Sequence, residues 1–171
     1  MKFETMSAQL SKCMQGTYQF MSDGILTAVE DGRDYLQSPV DDLYSFYYTM
    51  RWAAVFHDRE FADKDIPYGL QKLREKLLGT QMDRSTEITD DPSLLRPREY
   101  GLFVAKCQPL LRAWHSELRF LRVDWKVSQF ELEEQETNAE PEIYIPMFLT
   151  FALRGVAILA ELVHKYAKEM G

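Results

Sequence analysis

Cysteine and histidine are scarce in this chain: its 171 residues include two cysteines and three histidines. Cys13 and Cys107 lie far apart and no Cys-x-x-Cys pair exists, which argues against a thiolate zinc site. Both read as small buried residues of a reducing compartment. Basic charge is also short, with 20 Lys+Arg against 27 Asp+Glu and a net charge of −7. An acidic whole is a poor generic binder of nucleic acid or anionic membrane, so any such binding has to come from a local patch. Eight glycines and seven prolines are too few for a low-complexity chain. Gly16, Gly24 and Gly32 are too widely spaced for a phosphate-cradling loop. Nucleophile signatures around Ser, Cys or Lys are missing. The opening Met-Lys-Phe-Glu-Thr-Met-Ser has no apolar signal core, so the expected compartment is the cytosol.

What the sequence does contain is apolar and aromatic material in helical register. Hydrophobic residues make up 46% and aromatic residues 13% of the chain. That is enough apolar material to bury a core. Met14, Tyr18, Met21, Ile25 and Ala28 recur in steps of four and three, and with Phe3, Met6, Leu10 and Cys13 they predict helix over about 4–36. Asp23-Gly24 is the expected break. Ser38-Pro39-Val40-Asp41 combines an N-cap, a proline at the first helical position and an acid for the helix dipole. It predicts a helix over 39–60, apolar on nearly every side and therefore central. A shorter helix is expected over 67–78, stopped by Gly79.

Residues 80–95 are polar and aperiodic, and the expectation is a mobile loop. A long helical stretch over about 97–127 follows, kinked or divided at Pro109, with Leu111, Trp114, Leu118, Leu121 and Trp125 on one stripe. Six glutamates mark 131–142 as an acidic loop. The last helix is expected over 146–169, near the centre of a bundle. Thr150, Arg154, Ala157, Glu161, His164 and Lys168 give it one polar stripe, and Arg154 opposes a membrane span at a cost of ~2.5–3.5 kcal/mol. The expected fold is all-α, a single domain over 1–171 with four to five main helices. The alternative is α+β with a small hairpin near 123–145, suggested by the alternation of Val123, Trp125 and Val127.

The most informative pattern is Arg112, His115, Arg119, Arg122 and Lys126. Steps of three and four place all five on one side of a helix. Arginine's planar fork suits bidentate binding of phosphate or carboxylate, so this side is the expected binding face. A solvated face paired with Glu117 or the acidic loop is the competing reading.

Arg51 and His57 form Arg-Trp-Ala-Ala-Val-Phe-His. The spacing resembles the Arg-x4–6-His motif of HEPN ribonucleases, which are small helical bundles. The resemblance implies catalytic roles for Arg51 and His57 at the scissile phosphate and 2′-hydroxyl of RNA. It rests on two residues, Trp52 stands where that family has a polar residue, and six helical residues turn through ~240°.

Metal sites are not expected. Glu161 and His164 form one Glu-x-x-His unit where a di-iron bundle needs two. His57, His115 and His164 lie on three different helices. Asp41/Asp42 and Asp90/Asp91 lack the further acids of a magnesium site. No cofactor is expected.

The primary expectation is a non-enzymatic interaction module, an adaptor or small subunit of a larger assembly. It would dock a protein partner through the 112–126 basic face, with homodimerisation compatible and no membrane contact. An RNA-binding subunit or HEPN-like ribonuclease, with nucleic acid on the same face, is the first alternative. A small-molecule binder lined by Tyr, Trp and Met between helices is the second.

Overall fold

The computed structural model describes residues 20–33, 35–57, 59–61, 65–78, 96–135 and 141–170. Helices joined by short connectors make up these residues, with no strand among them. The helices are α1 (Asp23–Asp31), α2 (Pro39–Val55), α3 (Tyr68–Leu78), α4 (Pro97–Tyr100), α5 (Leu102–Gln135) and α6 (Tyr144–Met170), with single 3-10 turns at Arg59–Phe61 and Pro141–Ile143. The all-α expectation holds, and the hairpin near 123–145 is corrected. On a helix, steps of two turn through about 200°. Trp125 therefore points inward while Val123 and Val127 point outward, which imitates strand alternation over three residues.

Local chemistry sets the boundaries. Ser22 caps α1 by accepting from the Ile25 amide, and Gly32 closes it in the left-handed conformation at φ 61°, which glycine adopts without a Cβ penalty. The expected break at Asp23-Gly24 is the start of this helix. Ser38 and Asp41 form a reciprocal capping box at α2, with Pro39 in its first turn. Arg74 of α3 donates from Nε to the Val55 carbonyl at 2.9 Å. A cation thereby closes the C-terminal end of α2, the favoured sign for that end of a helix dipole.

α5 runs through Pro109 as one helix of 34 residues. A proline removes one internal amide bond, and that local loss is outweighed by the long buried stripe Val104, Leu111, Trp114, Leu118, Leu121 and Trp125. Of the acidic loop expected over 131–142, residues 131–135 belong to α5 and 141–143 form a 3-10 turn, while 136–140 lie outside the described residues. The loop expected over 80–95 lies outside the described residues.

The main core forms where α2, α5 and α6 pack together. Val40, Tyr47, Trp114, Leu118 and Leu121 are its most buried side chains, joined by Leu43, Tyr44, Trp125 and Phe151. A second cluster joins Val55 of α2 to Leu70, Leu73 and Leu77 of α3 and Val104 of α5.

α2 is central, as expected. The placement of the last helix near the centre is corrected. Among the described side chains and glycines of α6 only Phe151 and Gly155 are buried, while Ile145, Leu149, Leu153 and Val156 face outward. High apolar content does not distinguish a helix covered on two sides from one with a bare apolar side. At Gly155 the contact is so close that an added Cβ would overlap Leu43 Cδ1, so a larger residue there requires the Leu43 side chain to shift.

Asp41 ties α1 to α2. Its carboxylate is 1% exposed. It accepts from the Ser22 hydroxyl at 2.5 Å, the Tyr35 hydroxyl at 3.0 Å and the Ser38 amide and hydroxyl, each at 2.8 Å. The acid that the sequence marks as a helix-start residue thus also holds groups far from its own helix.

Candidate functional site

The basic side of α5 divides into two parts. Arg112, Arg119 and Lys126, spaced seven apart, are exposed. His115 is buried, stacked on Tyr47 at 5.2 Å between centroids and edge-on to Tyr44 at 6.2 Å. Arg122 is half-buried, with its guanidinium 3.9 Å above the Tyr44 ring. Charge and flatness explain the division: guanidinium and imidazole groups stack on electron-rich rings, so the two nearest α2 turn onto its tyrosines.

Alongside the exposed cations runs a second row that the sequence reading missed. Phe120, Val123, Val127 and Phe130, in steps of three, four and three, are all more than half exposed; Phe120 reaches 62% and Phe130 60%. Their spacing marks a helical stripe, about half a turn from the Trp114 stripe, that the single apolar-face reading passed over. The outer side of α5 therefore carries a basic row beside an apolar one.

α6 carries a further exposed apolar side, on which Leu153 is 71% exposed. Tyr144–Lys168 is long and apolar enough to cross a membrane, by length and composition only. Against α5 this helix packs Phe148 and Phe151 on Trp125, and beside that contact Arg154 donates to Asp124 at 2.7 Å. Thr150 donates to the Pro146 carbonyl of its own helix at 2.8 Å.

Arg51 and His57 have different surroundings. Arg51 is 6% exposed on α2, with its guanidinium 5.1 Å from the Tyr48 ring and 5.8 Å from that of Tyr47. His57 lies beyond the end of α2, stacked on Phe103 at 4.1 Å. His164 is exposed on α6. Among the described residues no three His, Cys, Asp or Glu side chains gather as metal ligands.

The tyrosines that receive these cations form a continuous platform. Tyr44, Tyr47, Tyr48 and Arg51 follow steps of three, one and three along one side of α2, and the rings of Tyr47 and Tyr48 meet at 5.3 Å. Burial pushes the Tyr48 phenol well above the usual tyrosine range, reinforced by Asp23, to which its hydroxyl donates at 3.0 Å. Tyr44 is raised by the same burial and opposed by the charges of Arg122 and Arg119. Among the described residues three buried side-chain nitrogens lack a hydrogen-bond partner: Arg51 Nε, Arg122 Nη2 and Trp114 Nε1. Compared with known proteins, the chain matches no family model, no curated protein and no solved structure.

Proposed function

We propose that this protein is a non-enzymatic helical interaction module that docks a protein partner through the outer side of α5. The observation that carries the reading is the pairing of the apolar row Phe120, Val123, Val127 and Phe130 with the basic row Arg112, Arg119 and Lys126 on one exposed side of the helix. Covering a half-exposed Val or Phe returns about 1 kcal/mol each by transfer from water. The four together supply about 4 kcal/mol, roughly a thousandfold in affinity before the costs of association. The basic row selects partners with acidic flanks and sets orientation and on-rate more than affinity. A complementary surface is therefore an amphipathic segment with acid residues beside its apolar side.

Two surface variants test this: Phe120→Ser/Val127→Ser and Arg119→Glu/Lys126→Glu. Purified from native cells, the wild type is expected to retain one stoichiometric partner. Each variant should fold, by circular dichroism, and lose that partner. A partner retained by both variants contradicts the reading.

RNA on the basic row is the alternative. Steeply salt-dependent RNA binding that is lost in the charge-reversal variant and kept in the apolar one would replace the protein partner. α6 is proposed to pack in the aqueous phase, supported by the Arg154–Asp124 pair. Flotation of the purified chain with lipid vesicles would contradict that.

A further inference from the structure

α6 has three lengthwise sides. On the first, Phe151 and Gly155 are buried, and Ile158 and Leu162 pack partly buried against the main core. The second is polar and exposed: Thr150, Arg154, Glu161, Lys165 and Lys168, with Arg154 tied to Asp124 of α5. The third is apolar and open. Leu149, Leu153, Val156, Ala160, Val163 and Ala167 follow steps of four, three, four, three and four, and all six are exposed. Leu149, Leu153 and Val156 are each more than half exposed. At helical rotation the six fall within about 80° of one another. An unbroken alternation of three and four is the spacing of a coiled-coil seam, whose residues meet a facing helix. A contiguous apolar strip of this length is more than the scattered apolar residues of an ordinary surface.

The seam is complementary to its own inverse. Turned end for end about position 158, it sets Leu149 level with Ala167 of a second copy, Leu153 with Val163 and Val156 with Ala160. Each level joins a larger side chain to a smaller one, which fills the space between two helices evenly. Copies running in the same direction set Ala160 and Ala167 against themselves, leaving gaps, and place Arg154 level with Arg154 and Glu161 with Glu161. The inverted pair brings each Arg154 within one residue of the level of the other copy's Glu161, so opposite charges rather than like ones share the rim. The seam carries no charge, and neither do Ala152, Ala157 and Leu159 beside it. Nothing there repels a second copy, and no charge selects a different protein. The net charge of −7 opposes an anionic bilayer as the occupant. α6 has 27 residues, and a contact about 12 Å wide along its length of about 40 Å covers about 500 Å² on each copy. The pair then buries about 1,000 Å², where specific interfaces begin, so the association is reversible and micromolar rather than obligate.

We propose that this protein forms a two-fold symmetric dimer through α6, the open apolar side of one copy packing antiparallel on that of a second, centred on position 158. The seam is isologous, so a single surface closes the assembly at two copies. The outer side of α5 lies on another helix and takes no part in the contact.

Sedimentation equilibrium of the purified full chain, from low to high micromolar concentration, is expected to show a reversible shift from the mass of one chain to that of two. Leu153→Glu and Val156→Glu, both at exposed positions, should each hold the chain monomeric with unchanged helical circular dichroism. Phe120→Ser/Val127→Ser should leave the dimer intact, which separates this contact from docking on α5. Disulfide trapping in a Cys13→Ser/Cys107→Ser background reads the direction. Leu149→Cys chains mixed with Ala167→Cys chains should crosslink, and Leu149→Cys alone should not, since its own counterpart lies at the far end of the seam. Trapping keeps the test available if the glutamate variants do not fold, and sedimentation of the unaltered chain does so if the serine background does not. A monomer at every concentration, a dimer that survives both glutamate variants, one lost in Phe120→Ser/Val127→Ser, or crosslinking of Leu149→Cys to itself overturns the proposal. So does a chain that stays monomeric in solution and floats with lipid vesicles.

Discussion

Replacing Asp41 by alanine is expected to destabilise the protein by about 3–5 kcal/mol, the cost of breaking a buried charged network at one end. Four donors converge on this carboxylate from Ser22, Tyr35 and Ser38. A charge-assisted bond contributes about 1.5–3 kcal/mol, and the lost capping adds about 1 kcal/mol. The contributions do not sum, because the three hydroxyls reorient toward water once the carboxylate is gone, whereas the Ser38 amide is fixed by the helix start. Asp41→Asn keeps one acceptor oxygen and should cost about half as much. Urea unfolding at pH 7, followed by helical circular dichroism, reads the loss as a lower midpoint. Combined with Ser22→Ala, the cycle should show a coupling of about 1–2 kcal/mol, since the 2.5 Å bond joins α1 to α2. A loss below about 1 kcal/mol for Asp41→Ala, or zero coupling, would refute the view that this carboxylate ties the two helices.

Three further outcomes follow from the packing. Gly155→Ala is expected to destabilise by about 1–2 kcal/mol despite alanine's better helix propensity, because the new methyl overlaps Leu43; Leu43→Ala should remove that penalty in a thermal-melt cycle. Stability should decline above about pH 10, the unfolded tyrosine value. Burial, with Asp41 beside Tyr35 and Asp23 beside Tyr48, raises both phenols above their ordinary value of 10.0 in the fold. Their contribution is therefore complete below pH 10 and is lost as pH climbs toward the folded values; melts between pH 8 and 12 measure this, and Tyr48→Phe should flatten the decline. Arg154→Met should cost no more than about 0.5–1 kcal/mol in the same melts, because the Arg154–Asp124 pair is half exposed.

Local signals in the sequence were legible. Ser38-Pro39-Val40-Asp41 specifies the start of α2, and the steps of Leu111, Trp114, Leu118, Leu121 and Trp125 specify the buried side of α5. Features that depend on a second element were not. Asp41 is a helix-start acid by spacing, but its bonds to Ser22 and Tyr35 depend on where α1 packs. Periodicity places Arg112 to Lys126 on one side of α5. Only the neighbouring tyrosines of α2 decide that His115 and Arg122 turn inward while Arg119 stays in water. The apolar faces of α6 are equivalent by composition, and packing against α2 and α5 determines which is covered.

The account's central claim is that the outer side of α5 is a docking surface, and photo-crosslinking reads it directly. A benzophenone amino acid placed at Phe120, irradiated in the native cells, should yield one discrete adduct, weakened by Arg119→Glu/Lys126→Glu. The same probe at exposed Glu75 on α3 should yield none. Equal labelling at both positions, or no adduct at position 120, would contradict the account.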